Sequence, residues 1–137
     1  MTLVLDASLT VASILPDETS EAAEAIMSRV VQAGAHVPSL WRLEVANVLG
    51  NAVRRGRCDM VFVDEALKDL ETMSITLDTE TDVQAWGATL ALSRSENLTL
   101  YDAAYLELAI RLGGTLVSCD RQLVAAARRR GVEVLTV

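Results

Sequence analysis

The sequence predicts an α/β domain of three layers, α/β/α, with a central, mainly parallel sheet. Short apolar runs alternate with helical patterns along the whole chain, which is the order expected of parallel strands joined by helices. Much of the 51% hydrophobic fraction is Ala, Val and Leu, as a sheet covered on both faces requires. No linker or low-complexity segment divides the 137 residues. We therefore expect a single domain over residues 1–137.

Proline and glycine mark the ends of the predicted elements in the first third of the chain. Pro16 stops the first helix, Gly34 the second, and Pro38 closes the second strand. In chain order, these elements are a buried strand over Leu3–Leu5, helices over Ser8–Leu15 and Glu21–Ala33, and a strand over Ala35–Val37.

The middle of the chain is predicted to be mostly helical. Ser39 can cap a helix that ends before Gly56, and Asp59 can cap the next one. We expect Trp41 and Trp86 to take part in packing or in an interface. The predicted elements are helices over Ser39–Arg55 and Met60–Glu71, a strand over Ser74–Leu77 and one helix over Glu80–Ser93.

The last third contains one strong helical pattern followed by a strand, a short helix and a final strand. Thr99 is the predicted N-cap of the first helix, and Gly113 with Gly114 ends it. The later elements are a strand over Thr115–Ser118, a helix over Leu123–Arg130 and a strand over Val132–Val137.

Four acidic side chains fall where parallel sheets bind ligands, outside the carboxyl ends of the strands. Asp6 follows the first strand and Asp120 follows the fourth. Asp102 begins a helix after a loop, and Glu44 lies about one and a half turns into its helix, so both can point at the same edge. Asn47 lies three residues after Glu44 and shares its helix face.

Such a cluster needs a compensating positive charge. Two unit charges about 4 Å apart repel by roughly 4 kcal/mol at an effective dielectric constant near 20. Divalent cations supply the compensation, and a set of oxygen ligands favours Mg²⁺ or Mn²⁺ over zinc. An all-carboxylate site of this kind suits metal-assisted attack on a phosphodiester.

Each acid also has a plainer interpretation. Asp6 and Asp120 precede helices and could be ordinary N-caps, and Asp102 could close a capping box with Thr99. Glu44 has no capping role and could simply be solvated, with Arg42 as a loose neighbour. Only the four acids together favour a functional site.

Composition excludes several other classes of protein. A net charge of −7 argues against a general nucleic-acid coat, although bound divalent cations would allow an enzyme to act on RNA. His36 is the only histidine, which argues against Ser-His and Cys-His catalysis.

Cys58 and Cys119 have no metal-binding spacing, so we expect free thiols in a reducing, cytoplasmic compartment. No apolar run reaches the ~20 residues of a membrane helix, so we expect no membrane partner.

Four segments carry a resemblance to a known family. They are Leu3-Val4-Leu5-Asp6-Ala7-Ser8, the run from Pro38 to Leu49 that includes Glu44 and Asn47, the segment Leu98-Thr99-x-Tyr101-Asp102-Ala103-x-Tyr105-Leu106-Glu107-Leu108-Ala109, and Ser118-x-Asp120-x-x-Leu123. The chain resembles the PIN-domain ribonucleases over nearly its whole length. Within that family it is most similar to the VapC-type toxins of bacterial toxin–antitoxin pairs.

The resemblance implies a PIN-like α/β/α fold and an endoribonuclease that depends on Mg²⁺ or Mn²⁺. It also implies an RNA substrate such as tRNA, a homodimer, and neutralisation by a VapB-type antitoxin. Carried over by position, the catalytic and metal-binding acids are Asp6, Glu44, Asp102 and Asp120, with Asp6 and Asp102 holding the principal metal. The supporting polar residues are Ser8, Asn47 and Ser118.

Two other functions stay open on the sequence alone. One is a PIN-like interaction module that has the same fold but no catalytic turnover. The other is phosphoryl transfer with Asp6 as the nucleophile, a chemistry that uses a lysine near the end of a late strand. Lys68, the only lysine among the 12 basic residues, falls within a predicted helix, which argues against this second alternative.

Overall fold

Five short parallel strands form the centre of the computed structural model, which describes residues 1–137. The strands are β1 (Leu3–Leu5), β2 (Ala35–Val37), β3 (Ile75–Leu77), β4 (Thr115–Val117) and β5 (Glu133–Leu135). Their order in the sheet is β3-β2-β1-β4-β5, and every neighbouring pair is parallel. In the central strand, Val4 is paired with His36 of β2 on one side and with Leu116 of β4 on the other.

Eight helices flank this sheet and complete the predicted three-layer α/β/α fold, which is confirmed. They are α1 (Ala7–Ile14), α2 (Glu21–Ala33), α3 (Trp41–Arg54), α4 (Met60–Glu71), α5 (Thr81–Gln84), α6 (Ala88–Glu96), α7 (Leu100–Leu112) and α8 (Arg121–Arg129). None of them is both long enough and apolar enough to cross a bilayer.

A single hydrophobic core holds the layers together. All three residues of β1 are buried, as a central strand covered on both faces requires. One continuous cluster of 28 buried residues joins this strand to the inner faces of the surrounding helices. The chain therefore has one core, and the ends of the strands are fixed relative to the helices that follow them.

Most predicted elements are present with bounds that differ by no more than two residues at either end. The Asp59 cap is confirmed, since Asp59 Oδ1 accepts a hydrogen bond of 2.8 Å from the Phe62 N–H. The Ser39 cap is wrong, because α3 begins at Trp41 and Leu40 occupies the N-cap position. The Ser39 N–H instead donates to Thr81 Oγ1 at 3.1 Å, which links this turn to α5.

The predicted single helix over Glu80–Ser93 is also wrong, because a turn over Ala85–Gly87 divides it into α5 and α6. The Thr81 hydroxyl donates to Asp78 Oδ2 at 2.9 Å, which ties α5 to the end of β3 and sets its direction. Trp86 lies in the turn with 89% of its surface exposed, so it takes no part in the packing of this domain.

Arg111 joins α7 to the segment that follows β3. Its guanidinium donates to Glu107 at 2.8 and 2.9 Å and to Asp78 at 2.7 and 3.0 Å. The exposed fractions of these two acidic side chains are only 6% and 9%. The Arg111 guanidinium lowers the pKa of Asp78, and its hydrogen bonds to Glu107 and Asp78 raise the pKa of Arg111 itself.

Replacing Arg111 with Met would leave Glu107 and Asp78 buried without a cation. Loss of one partner from a buried ion pair costs about 3–5 kcal/mol. We expect a loss of about 3 kcal/mol in the free energy of unfolding, at the low end because Arg111 keeps some exposure. Urea unfolding measures this loss.

Arg42→Met is the matched control, since Arg42 pairs with Glu71 at the surface. This substitution should lower the free energy of unfolding by about 1 kcal/mol or less. Equal losses in the two variants would contradict this account.

Candidate active site

Asp6 lies at the carboxyl end of the central strand and is only 4% exposed. Its N–H donates to the Val117 carbonyl at 2.9 Å, which extends the pairing of β1 with β4 by one residue. Asp6 occupies the N-cap position of α1, but its side chain makes no capping hydrogen bond. The interpretation of Asp6 as an ordinary cap is therefore wrong.

Two serine hydroxyls hold the Asp6 carboxylate. Ser8 donates to Asp6 Oδ2 at 2.5 Å, and Ser118 donates to the same oxygen at 2.7 Å. Asp6 Oδ1 receives no side-chain hydrogen bond. Burial raises the pKa of Asp6, and the two hydroxyls oppose that increase.

Asp120 is both a helix cap and a neighbour of this carboxylate. It follows β4, and its Oδ1 accepts a hydrogen bond of 3.0 Å from the Leu123 N–H at the start of α8. Its own N–H donates to Ser118 Oγ at 3.0 Å. Its charge raises the pKa of Asp6 and of Asp102. The capping interpretation is thus correct for Asp120, but capping is not its only effect.

Asp102 lies in the first turn of α7 and faces the same acids. Thr99 caps the helix by accepting a hydrogen bond of 3.1 Å from the Asp102 N–H. Burial raises the pKa of Asp102 to about 6, and the charges of Asp120 and Asp6 contribute to the increase. The Asp102 carboxylate is therefore close enough to both acids to be disfavoured by their charge.

Glu44 points from α3 towards the cluster, and the expectation of a solvated Glu44 beside Arg42 is wrong. Its Oε1 accepts a hydrogen bond of 2.5 Å from the Tyr105 hydroxyl, while Arg42 pairs with Glu71 instead. Burial raises the pKa of Glu44, the Tyr105 hydrogen bond lowers it, and the charges of Asp6 and Asp102 raise it further.

The four acids share a negative charge that no basic side chain balances. None of the ion pairs in the structure includes Asp6, Glu44, Asp102 or Asp120. Their carboxylates act on one another through space, but no three acidic, histidine or cysteine side chains converge tightly enough to form a ready-made metal site. By charge and by donor type, an all-oxygen set of this kind fits Mg²⁺ or Mn²⁺.

The supporting residues predicted from sequence differ in their placement. Ser8 and Ser118 contact Asp6 directly, whereas the Asn47 side chain is exposed on α3 and makes no hydrogen bond. Sequence reasoning assigned no role to Tyr105, although it follows Asp102 by three residues and so shares its helix face. It also missed Thr10, whose hydroxyl donates to the Asp6 carbonyl at 3.1 Å.

The model of the PIN domain family matches residues 3–129. This chain belongs to the PIN domain family. Ribonuclease VapC3 from Pyrobaculum aerophilum is 36% identical over 123 residues, which are 90% of this chain and 92% of that protein. Ribonuclease VapC3 from Mycobacterium tuberculosis is 32% identical over 124 residues, which are 90% of this chain and 86% of that protein. The resemblance to VapC-type PIN ribonucleases is confirmed.

Solved structures support the same PIN fold. PAE2754 from Pyrobaculum aerophilum superimposes with a TM-score of 0.71 at 26% identity, over 98% of this chain and 92% of that one. VapBC2 from Rickettsia felis, bound to a DNA fragment from its promoter, gives a TM-score of 0.64 over 100% of this chain and 99% of that one. Because that identity is 13%, this second likeness shows the fold alone.

Asp102→Asn should stabilise the metal-free PIN domain at neutral pH. The pKa of Asp102 is raised to about 6 in the folded protein, so its ionised form opposes folding. This destabilisation is present above that pKa and disappears as the pH falls towards the ordinary value near 4. We expect the variant to be more stable than the wild type at pH 7, with the difference vanishing near pH 4.

Urea unfolding in EDTA across this pH range measures the difference. Asp59→Asn is the control, since Asn caps a helix about as well as Asp and should change stability little at any of these pH values. A constant stability difference between Asp102→Asn and the wild type from pH 4 to 7 would contradict the prediction.

Proposed function

We propose that this PIN domain is an endoribonuclease that depends on Mg²⁺ or Mn²⁺. The observation that carries the proposal is the group of four carboxylates at one end of the sheet, three with raised pKa values and none paired with a basic side chain. The relatives named as ribonucleases support RNA as the substrate. Asp6 and Asp102 would hold the principal ion, and Glu44 and Asp120 would complete the site directly or through water.

The chain itself supplies fixed positions for these acids. Ser8 and Ser118 restrain Asp6, and the hydrogen bond to the Leu123 N–H restrains Asp120. When bound, the cation would activate water and neutralise charge on the phosphate. Attack of the water oxygen on phosphorus breaks the bond to the 3′ oxygen, which takes up a proton, and leaves a 5′-phosphate on the downstream fragment.

We further propose that the protein is the toxin of a toxin–antitoxin pair, acts as a homodimer and binds a VapB-type antitoxin. The VapC3 relatives and the VapBC2 assembly of Rickettsia felis support this role. The unbalanced negative charge of the site would be complementary to an arginine of the antitoxin, which could compete with the metal.

No observation favours the two alternative functions. An aspartate-based phosphoryl transfer would need a lysine near Asp6, but Lys68 is exposed in the last turn of α4. A non-catalytic module would not require four unbalanced carboxylates. Failure of the protein to bind Mg²⁺ or Mn²⁺ in calorimetry would favour the non-catalytic module.

Purified protein should cleave RNA in Mg²⁺ or Mn²⁺ and lose this activity in EDTA. Substituting residues that only support a metal ligand costs about ten- to a hundredfold in metal affinity or activity, so Asp6→Asn and Asp102→Asn should each lose about a hundredfold or more. Labelled RNA on denaturing gels measures the rates, and end analysis of the fragments tests for the 5′-phosphate. The control Asp59→Asn should retain wild-type activity. Full activity of Asp102→Asn would contradict the assignment of Asp102 to the active site.

Expression of the protein alone should arrest growth, and co-expression of its antitoxin should relieve the arrest. A short reading frame directly upstream of the gene would be the source of the candidate antitoxin. RNA cleavage by the purified complex should be suppressed, and excess Mg²⁺ should partly restore it if an arginine competes with the metal. A complex that forms but cleaves RNA at the full rate would count against this role.

A further inference from the structure

Tyr105 lies in α7 and contacts one of the four acids. Its side chain is completely buried, and its hydroxyl donates to Glu44 Oε1 at 2.5 Å across 61 positions of sequence. This hydroxyl group therefore links α7 to α3 beside the other acids of the site.

The choice of partner distinguishes this contact from an ordinary buried tyrosine. A buried hydroxyl needs one hydrogen-bond acceptor, and a backbone carbonyl would serve. Tyr105 uses a half-buried carboxylate that is exposed to the charges of Asp6 and Asp102. Those charges repel the Glu44 carboxylate. Without a further contact, the flexible glutamate side chain would turn away from them into solvent. The hydrogen bond from Tyr105 opposes that movement.

We propose that Tyr105 is a positioning residue of the active site, which fixes Glu44 by occupying its Oε1 and leaves Oε2 for the space shared with Asp6 and Asp102. This inference rests on the proposed metal-dependent activity. Tyr105 does not touch substrate or ion, and its whole effect passes through Glu44. Ser8 and Ser118 restrain Asp6 in the same way, by binding one carboxylate oxygen and leaving the other free of side-chain partners.

Tyr105→Phe removes the hydroxyl and keeps the ring that fills the core. A hydrogen bond to a charged group contributes enough that its loss corresponds to about a ten- to hundredfold effect. We expect kcat for RNA cleavage to fall by about that factor, with KM changed less than about twofold. Calorimetric titration with Mn²⁺ alone should show weaker binding by about tenfold, and urea unfolding should show a folded, cooperative protein.

The other tyrosine of the chain provides a matched control. Tyr101 lies on the same helix, is 64% exposed and makes no side-chain hydrogen bond. Tyr101→Phe makes the same chemical change, and it should leave kcat and Mn²⁺ affinity within about twofold of the wild type. Equal effects of the two substitutions, or wild-type kcat and Mn²⁺ affinity in Tyr105→Phe, would overturn the proposal.

A double-mutant cycle tests whether Tyr105 acts through Glu44. In a Glu44→Gln background, Tyr105→Phe should lower Mn²⁺ affinity by less than about twofold, because the carboxylate to be positioned is already gone. If the full effect persists in that background, Tyr105 serves general packing and the inference fails. Loss of cooperative unfolding in Tyr105→Phe would also overturn it, since the hydroxyl would then be required by the fold.

The two readouts separate this inference from the proposed function. If the wild type binds Mn²⁺ but does not cleave RNA, the ribonuclease assignment fails, and the comparison of Mn²⁺ affinities still decides the role of Tyr105. If the wild type cleaves RNA and Tyr105→Phe is unaffected in kcat and affinity, only the inference fails. A wild type that neither binds Mn²⁺ nor cleaves RNA would overturn both.

Discussion

The burial of one carboxylate at the end of the central strand is the constraint on which the rest of the site depends. Ser8 and Ser118 donate to this carboxylate, and their hydrogen bonds oppose the increase in its pKa that burial causes. Ser118 lies 112 positions away in sequence, and it is adjacent only because β4 pairs with β1 in the sheet. The strand order therefore also positions the Ser118 hydroxyl, which donates to the buried Asp6 carboxylate. Asp120, another acid of the site, comes shortly after the same strand, β4.

Charge is distributed unevenly over the molecule. Arginines pair with acids away from the site: Arg57 with Asp17 and Glu18, Arg111 with Asp78 and Glu107, and Arg129 and Arg130 with Glu96. The four acids at the end of the sheet have no such partner. Four of the 19 acidic side chains therefore lie together without a basic partner, at the end of the sheet where a cation would be bound. Under the proposed function, a bound divalent cation would mediate the contact between these acids and an anionic RNA.

The sequence was sufficient for the fold and for the position of the acids, because both depend on local patterns and on the geometry of parallel sheets. Strand ends place Asp6 and Asp120 at one edge without any knowledge of side-chain contacts. The prediction failed where distant segments interact. Leu40 and not Ser39 takes the N-cap position of α3, and the Ser39 N–H donates to Thr81, 42 positions away. The role of Tyr105 depends on a partner 61 positions away, which no periodicity reveals.

The two tryptophans lie in opposite environments, and the turn between α5 and α6 is what exposes Trp86. Trp86 projects into solvent from the turn, whereas Trp41 is 4% exposed and its ring N–H donates to Thr10 Oγ1 at 3.2 Å. Thr10 in turn donates to the backbone carbonyl of Asp6. Acrylamide quenches exposed indoles first, so the fluorescence that survives it comes from Trp41. The molecule therefore carries its own optical reporter two hydrogen bonds from the backbone carbonyl of Asp6, and in Trp86→Phe it would be the only tryptophan that fluoresces.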